Sequence, residues 1–395
     1  MFSHTLYRSR EDGTYHYLLD EQMHLPKDER FTEQAEVKLL QEAARTSYQQ
    51  AANKLCAGAQ GISKTAVMNK LHQLAEELPL TEMKEKRQVQ YLYIEADEDH
   101  IHLQKAEKRQ KGSCIAGKLV YVHEGRQKVC GGKTELVHPV YFGGMYKGQA
   151  GNRALWERVG EYIEKNYDQE ILKRVYLSGD GASWIKAGTE YVEQSVFVAD
   201  KFHVMQYISR AARQVPGSEE KIRREIYESI RENRLKKAYK LLKEAQEHAL
   251  NGTAVEECRE FLRRNWGGIE RAYHDENAQG CSAEGHVSHV YSERMSSRPM
   301  GWSETGADRM CQLRCQIQTG GKEKVKEVVR ARREASYGRR LSKRKQEIKT
   351  ERSQVRRRYT KGEMEAALYA EKLNAELSGT RTRKQLWIWM KRNLY

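Results

Sequence analysis

The sequence predicts an α/β fold: a mixed sheet interrupted by a long all-helical insertion. Three observations predict it. Short apolar runs at 89–97, 119–122, 137–142, 175–180 and 196–200 read as strands, and the helix-spaced apolar residues Leu155, Val159, Tyr162 and Ile163 fall between the third and fourth. Residues 204–280 carry charged, amphipathic helical periodicity and no strand pattern. Residues 281–321 then return to a mixture of small, polar and aromatic residues unlike the charged helices on either side. The first three strands read as an antiparallel meander.

Ahead of the strands, residues 1–85 read as a helical region. From Thr32, a candidate N-cap, Val37, Leu39, Leu40, Ala43 and Ala44 form one apolar stripe, which Tyr48, Ala51, Ala52 and Leu55 continue at helical spacing. Gly58 and Gly61 break the run, and Ser63 opens a second helix, 63–73, with Val67 and Leu71 inward. Helix, glycine turn, serine cap and helix outline a helix-turn-helix. In the DNA-binding version the second helix leads into the major groove with its N-terminal residues. Ser63, Lys64, Thr65 and Asn69 are therefore candidate DNA contacts. Helical hairpins also occur in domains that bind nothing, so the outline needs support from elsewhere in the chain.

Charge supplies that support. The 395 residues hold 70 Lys and Arg against 55 Asp and Glu, a net +15. Residues 322–361 alone hold 17 basic and 5 acidic residues, a net +12, leaving +3 for the other 355. Such a stretch suits a polyanion, because neutralised phosphates release counterions. Arg339, Arg340, Arg356, Arg357 and Arg358 are the expected phosphate contacts in a basic helical tail, 322–395. Mean hydropathy is −0.87, and no run approaches the roughly 18 apolar residues of a membrane span, which excludes a polytopic membrane protein. The N-terminus has no apolar core of a secretory signal. Seven scattered Cys suit a reducing compartment, so a cytoplasmic location is expected. Cys311 and Cys315 form only one pair, whereas a zinc site normally takes four ligands.

Three of the strand-like runs end on acids: Asp97, Asp180 and Asp200. Carboxylates at the ends of neighbouring strands can converge, and converging carboxylates repel one another unless a divalent cation neutralises them. Mg²⁺ takes hard oxygen ligands, and two such ions can serve both oxygens of a phosphoryl transfer. A single Asp in such a place more often caps a turn; the combination of Asp97 with Asp180 on a basic chain favours the metal.

Four blocks, YIEADEDHIHLQ (93–104), YLSGDGASWI (176–185), VADKFHVMQYI (198–208) and SAEGHVSHVYSERMSSRPMGWS (282–303), carry a resemblance. In order and spacing the chain resembles the ISLre-type family of bacterial insertion-sequence transposases, within the DDE superfamily. The resemblance implies an RNase H-like mixed sheet, preceded by the helix-turn-helix region and followed by the basic helical tail. It divides the chain into 1–85, a catalytic core at 86–203, the insertion at 204–280, a last core part at 281–321 and the tail. Asp97, Asp180 and Glu284 would be the catalytic acids, holding two Mg²⁺ or Mn²⁺ ions. Glu293 and Glu304 are alternatives for the third, since Val287 stands where many members of the superfamily carry Asn. Asp200 and His203 would be accessory. Arg294 and Arg298, with Trp302, would grip a phosphate or stack on a displaced base, or else form a structural Arg–acid pair beside a core tryptophan. The implied activity is Mg²⁺-dependent cleavage and strand transfer at element ends. The partners would be terminal inverted repeats, target DNA and further copies of the chain, and the location nucleoid-associated. An inactive, DNA-binding relative and an RNase H-like nuclease are the competing expectations.

Overall fold

The computed structural model describes residues 5–10, 13, 15–22, 31–55, 61–74, 80, 82–104, 114–129, 131–298 and 300–358. The chain divides into two compact units, Met1–Ala331 and Arg332–Tyr395. In the first unit a short hairpin, β1 (Tyr7–Arg8) and β2 (Tyr15–His16), precedes α1 (Leu18–Gln22). Three helices follow: α2 (Glu33–Arg45), α3 (Tyr48–Leu55) and α4 (Lys64–His72). Thr32 caps α2, its hydroxyl accepting the Ala35 N–H at 3.2 Å. Ser63 caps α4 in the same way through Ala66, at 3.1 Å. Each satisfies a donor that the first helical turn leaves without a partner. Leu39, Ala43, Ala51, Ala52 and Val67 pack the three helices together. The expected first helix is thus two. Thr46 stands in extended conformation between them, and its hydroxyl turns back to the Glu42 carbonyl. An apolar stripe that continues across the break hides it in the sequence.

The sheet is built from β3 (Tyr91–His102), β4 (Cys114–His123), β7 (Val140–Gly144), β8 (Arg174–Gly179) and β9 (Ser195–Ala199). A two-stranded ribbon, β5 (Arg126–Lys128) with β6 (Thr134–Leu136), intervenes between β4 and β7. The strand order is β7-β4-β3-β8-β9. The β7-β4-β3 side is antiparallel and the β3-β8-β9 side parallel. Two of the differences from the expected strands bear on the site. The run expected at 137–142 pairs only from Val140, because His138 has a left-handed backbone (φ 48°) and Pro139 follows it. And Asp97 does not end its strand. Pairing of β3 with β8 stops at Glu95–Ser178, while pairing with β4 continues to His102–Cys114. Asp97 therefore lies where β3 outruns its parallel neighbour.

Along β3, side chains alternate between faces. Leu92, Ile94 and Ala96 meet Trp156, Val159 and Ile163 of α5 (Gly148–Asn166) in the larger core. The short helix α6 (Ser183–Lys186) follows β8. After β9 the insertion consists of four helices: α7 (Lys201–Ala212), α8 (Glu219–Arg231), α9 (Leu235–Glu247) and α10 (Gly252–His274). Asn233, at φ 52°, turns the chain between α8 and α9.

The chain then returns to the other face of the sheet. α11 (Ala283–Val287), a π-helical turn (Ser288–Ser292) and α12 (Glu293–Met295) pack with Leu119, Tyr121 and Tyr141 in the second core. Arg314 serves the altered turn, its guanidinium donating to the carbonyls of His289 (2.6 Å) and Val290. The last helix, α13 (Glu304–Arg358), is bent at Gly320–Gly321, where Gly321 has φ 57°. Val325, Val328 and Val329 are buried in the second core, so the first residues of the basic stretch belong to the first unit. The first unit ends at Ala331, ten residues into the basic stretch. Residues 359–395, with the helix expected at 362–395, lie outside the described residues.

Candidate functional site

Parallel strands end at the same edge of a sheet, and their carboxyl ends are where α/β folds place ligands. β3, β8 and β9 bring Asp97, Asp180 and Asp200 to that edge. Asp97 is half-buried, and its Oδ1 accepts the Glu98 N–H at 2.8 Å. Burial pushes its acid up to about 6; the charges of Asp180 and Glu284 push the same way, against the Glu98 hydrogen bond and His203. Three of the expected site residues, from the turn after β8, from α7 and from α11, thus act electrostatically on Asp97.

Asp180 follows β8 directly, and its Oδ1 accepts the Ala182 N–H at 2.8 Å. Both flanking glycines are needed. A Cβ on Gly179 would stand 2.9 Å from the Ala96 carbonyl oxygen, and one on Gly181 (φ 88°) would stand 2.5 Å from the Asn265 side chain. The Gly-Asp-Gly turn therefore lies tightly between β3 and α10.

Asp200 is buried and caps α7, accepting the Phe202 N–H at 2.9 Å. Burial raises its acid, and the His203 ring nitrogen stands 3.8 Å away. Glu284 is exposed on the first turn of α11. Glu293 is exposed and pairs with Arg314 at 3.6 Å; Glu304 pairs with Lys147. The charge of Glu284 is among those that raise the Asp97 acid.

The donor chemistry of Asp97, Asp180 and Glu284 fits a hard cation. All three offer carboxylate oxygens, and among the described residues none has a Lys or Arg partner within 4.0 Å. As the side chains stand, no group of three or more His, Cys, Asp or Glu among those same residues is placed to hold a metal ion.

The expected DNA contacts separate into two kinds. Ser63, Lys64, Thr65 and Asn69 are exposed along α4, and Arg298 and Arg339 are exposed as well. Arg294 is not. It is 8% exposed, its Nε donates to the Ala43 carbonyl at 3.1 Å, and its guanidinium lies 4.8 Å from the Trp302 ring centre. Trp302 is buried, as in the packing alternative, but Arg294 is held by the Ala43 carbonyl and the Tyr48 and Trp302 rings and, among the described residues, not by an acid, and it ties α12 to the N-terminal helices. The side chains of Arg340, Arg356, Arg357 and Arg358 lie outside the described residues. Cys311 and Cys315 are buried, and Tyr291 is 3.5 Å from the Cys315 sulfur.

One residue has no counterpart among the sequence expectations. Glu95, on the same face of β3 as Asp97, is 2% exposed and ionised. Burial works to raise its acid, but hydrogen bonds from His123 and Tyr121 and the charge of Arg126 hold it well below the usual carboxylate range. A glutamate inside an otherwise buried apolar strand is the available signal, since such residues are almost never buried unpaired.

An α/β protein with a mixed five-stranded sheet, carboxylates at one edge and helices on both faces is what fold and site define. The chain belongs to the uncharacterised protein family UPF0236, whose family pattern matches residues 1–332. A UPF0236 protein of Caldanaerobacter subterraneus subsp. tengcongensis is 38% identical over 322 residues, covering 81% of this chain and 66% of that protein. Two others from the same organism are 37% identical over the same length, with 66% and 62% of their lengths covered. The chain thus spans a little under two thirds of the length of the curated relatives it matches. No solved structure matches the chain. Among the described residues no helix is long and apolar enough to cross a membrane.

Proposed function

We propose that this protein is a DNA transposase of the DDE type with an RNase H-like catalytic core. The observation that carries the reading is the place of Asp97 and Asp180 at the carboxyl-end edge of the parallel pair β3 and β8, with Ser282, two residues before Glu284, hydrogen-bonded to Glu95 of β3. The mixed sheet, the all-helical insertion ahead of the third acid and the four blocks shared with ISLre-type transposases support it.

In this reading Asp97, Asp180 and Glu284 hold two Mg²⁺ or Mn²⁺ ions. Bound divalent ions activate an attacking oxygen and stabilise a leaving one in phosphoryl transfer. With its acid near 6, Asp97 is mostly ionised at neutral pH and offers a charged oxygen. Asp200 fixes the start of α7 and so keeps His203 beside the acids. Helix α4 offers Ser63, Lys64, Thr65 and Asn69 for the terminal repeats. The basic stretch neutralises phosphates without reading sequence. Further copies of the chain on DNA, and a nucleoid-associated cytoplasmic location, belong to the same proposal.

The test uses full-length protein and a duplex bearing the inverted repeats that flank its gene. Asp97→Asn and Asp180→Asn are expected to abolish Mg²⁺-dependent strand cleavage, with DNA affinity changed less than about threefold. Undiminished cleavage in both variants would refute the assignment. Cleavage by the wild type without joining of the freed 3′ end to target DNA would point instead to a nuclease on the same acids.

A further inference from the structure

We infer that Glu95 is a positioning residue, a buried hub that sets the place of Glu284 relative to Asp97; the inference rests on the metal-site reading above. Glu95 lies two residues before Asp97 on β3 and accepts from four side chains and one backbone amide. Its Oε1 receives the His123 ring nitrogen at 3.0 Å and the Arg126 guanidinium at 2.7 Å. Its Oε2 receives the Tyr121 hydroxyl at 2.6 Å, the Ser282 hydroxyl at 3.1 Å and the Ser282 backbone N–H. Arg126 closes the ring by donating also to the Ser282 hydroxyl at 3.0 Å. Tyr121 and His123 come from β4 and Arg126 from β5, all close in sequence to β3. Ser282 lies 187 residues from Glu95.

That distant partner gives the hub its function. Ser282 is the residue from which α11 starts, and Glu284 follows it by two positions. The carboxylate of Glu95 therefore grips, through two hydrogen bonds, the point where the returning chain carries the third acid to the sheet. Packing alone does not call for this arrangement. Well-fitted apolar residues in place of a buried ion pair are often as stable or more so. A charged hub differs from them in direction: its hydrogen bonds hold the α11 entrance at one height and one rotation, where apolar contacts would let it slide. Groups that orient metal-binding side chains in this way typically alter metal affinity by about 10–100-fold when removed.

The experiment is a calorimetric titration of the full chain with Mn²⁺ alone, on wild type, Asp97→Asn, Glu284→Gln, Glu95→Gln, Arg126→Gln and the double variant Glu95→Gln/Glu284→Gln. Circular dichroism checks that each is folded. Glu95→Gln is expected to weaken Mn²⁺ binding about 10–100-fold, and Arg126→Gln in the same direction. The double variant is expected to bind no more weakly than Glu284→Gln, because Glu95 acts through that residue. Should Glu95→Gln fail to fold, Arg126→Gln decides. Binding within twofold of wild type in the folded hub variants, alongside losses in Asp97→Asn and Glu284→Gln, overturns the inference alone. So do additive losses in the double variant, which would mark Glu95 as a general support. No Mn²⁺ binding by the wild type, or wild-type binding by Asp97→Asn, overturns the metal-site reading and the inference with it.

Discussion

Glu124, just past the end of β4, accepts hydrogen bonds from Arg87, from His138 at 2.9 Å and from Tyr167 at 3.2 Å. Burial works to raise its acid, but the Arg87 and His138 partners outweigh it and hold the acid below its ordinary 4.5. A carboxylate depressed on folding stabilises the native state above its unfolded value, and the contribution is lost as pH falls through the folded value. Glu124→Gln is therefore expected to cost about 1–3 kcal/mol at pH 7, with the gap to wild type narrowing as pH drops below 4.5. Urea midpoints at pH 7 and pH 3.5 check it, and a gap that widens in acid would contradict it. Asp97 and Asp180 are legible as residues because each follows an apolar run. Glu95 is not, because its partners come from β4, β5 and the far side of the insertion, and only the folded chain brings them together.

At the scale of elements, α10 approaches β9 through Gly268. A Cβ there would stand 2.6 Å from the Phe197 ring and 3.1 Å from the Ala199 backbone nitrogen. Gly268→Ala is expected to destabilise the protein by about 1–3 kcal/mol through overpacking, measured as a lower urea midpoint with an unchanged slope. The elements show where periodicity suffices and where it fails. Val175–Leu177 and Val196–Val198 announce buried parallel strands because both faces of those strands are covered. The apolar pattern ends β3 too early, since Glu98, Asp99, His100 and His102 look like a strand's end. The ladder with β4 carries it on: Ile101 is buried, and Asp99 accepts hydrogen bonds from Ser292 (3.1 Å) and Ser296 (2.7 Å). Those serines arrive from the returning segment, nearly two hundred residues later, so no local pattern reveals them.

For the whole molecule, the uneven charge makes a quantitative claim. If the basic stretch grips phosphates, replacing Arg339, Arg340, Arg356, Arg357 and Arg358 by Gln flattens the dependence of log affinity on log salt, by about 0.9 for every phosphate no longer neutralised. An unchanged slope in a filter-binding or fluorescence titration would mean these arginines touch no phosphate. Composition locates this charge, but it does not show that Val325, Val328 and Val329, which sit among its lysines, are buried in the second core. The arrangement of acids also has a consequence for synthesis. Asp97 and Asp180 precede the helical insertion, and Glu284, with the Ser282 that anchors it, follows. At about 5–20 residues per second, a ribosome completes the third acid several seconds or more after the second. A nascent or interrupted chain ending within the insertion carries α4 and two of the three acids, with Glu95 still lacking the partner that α11 brings. In the transposase reading proposed above, such a chain would present the helix offered to DNA while lacking the third acid of the site.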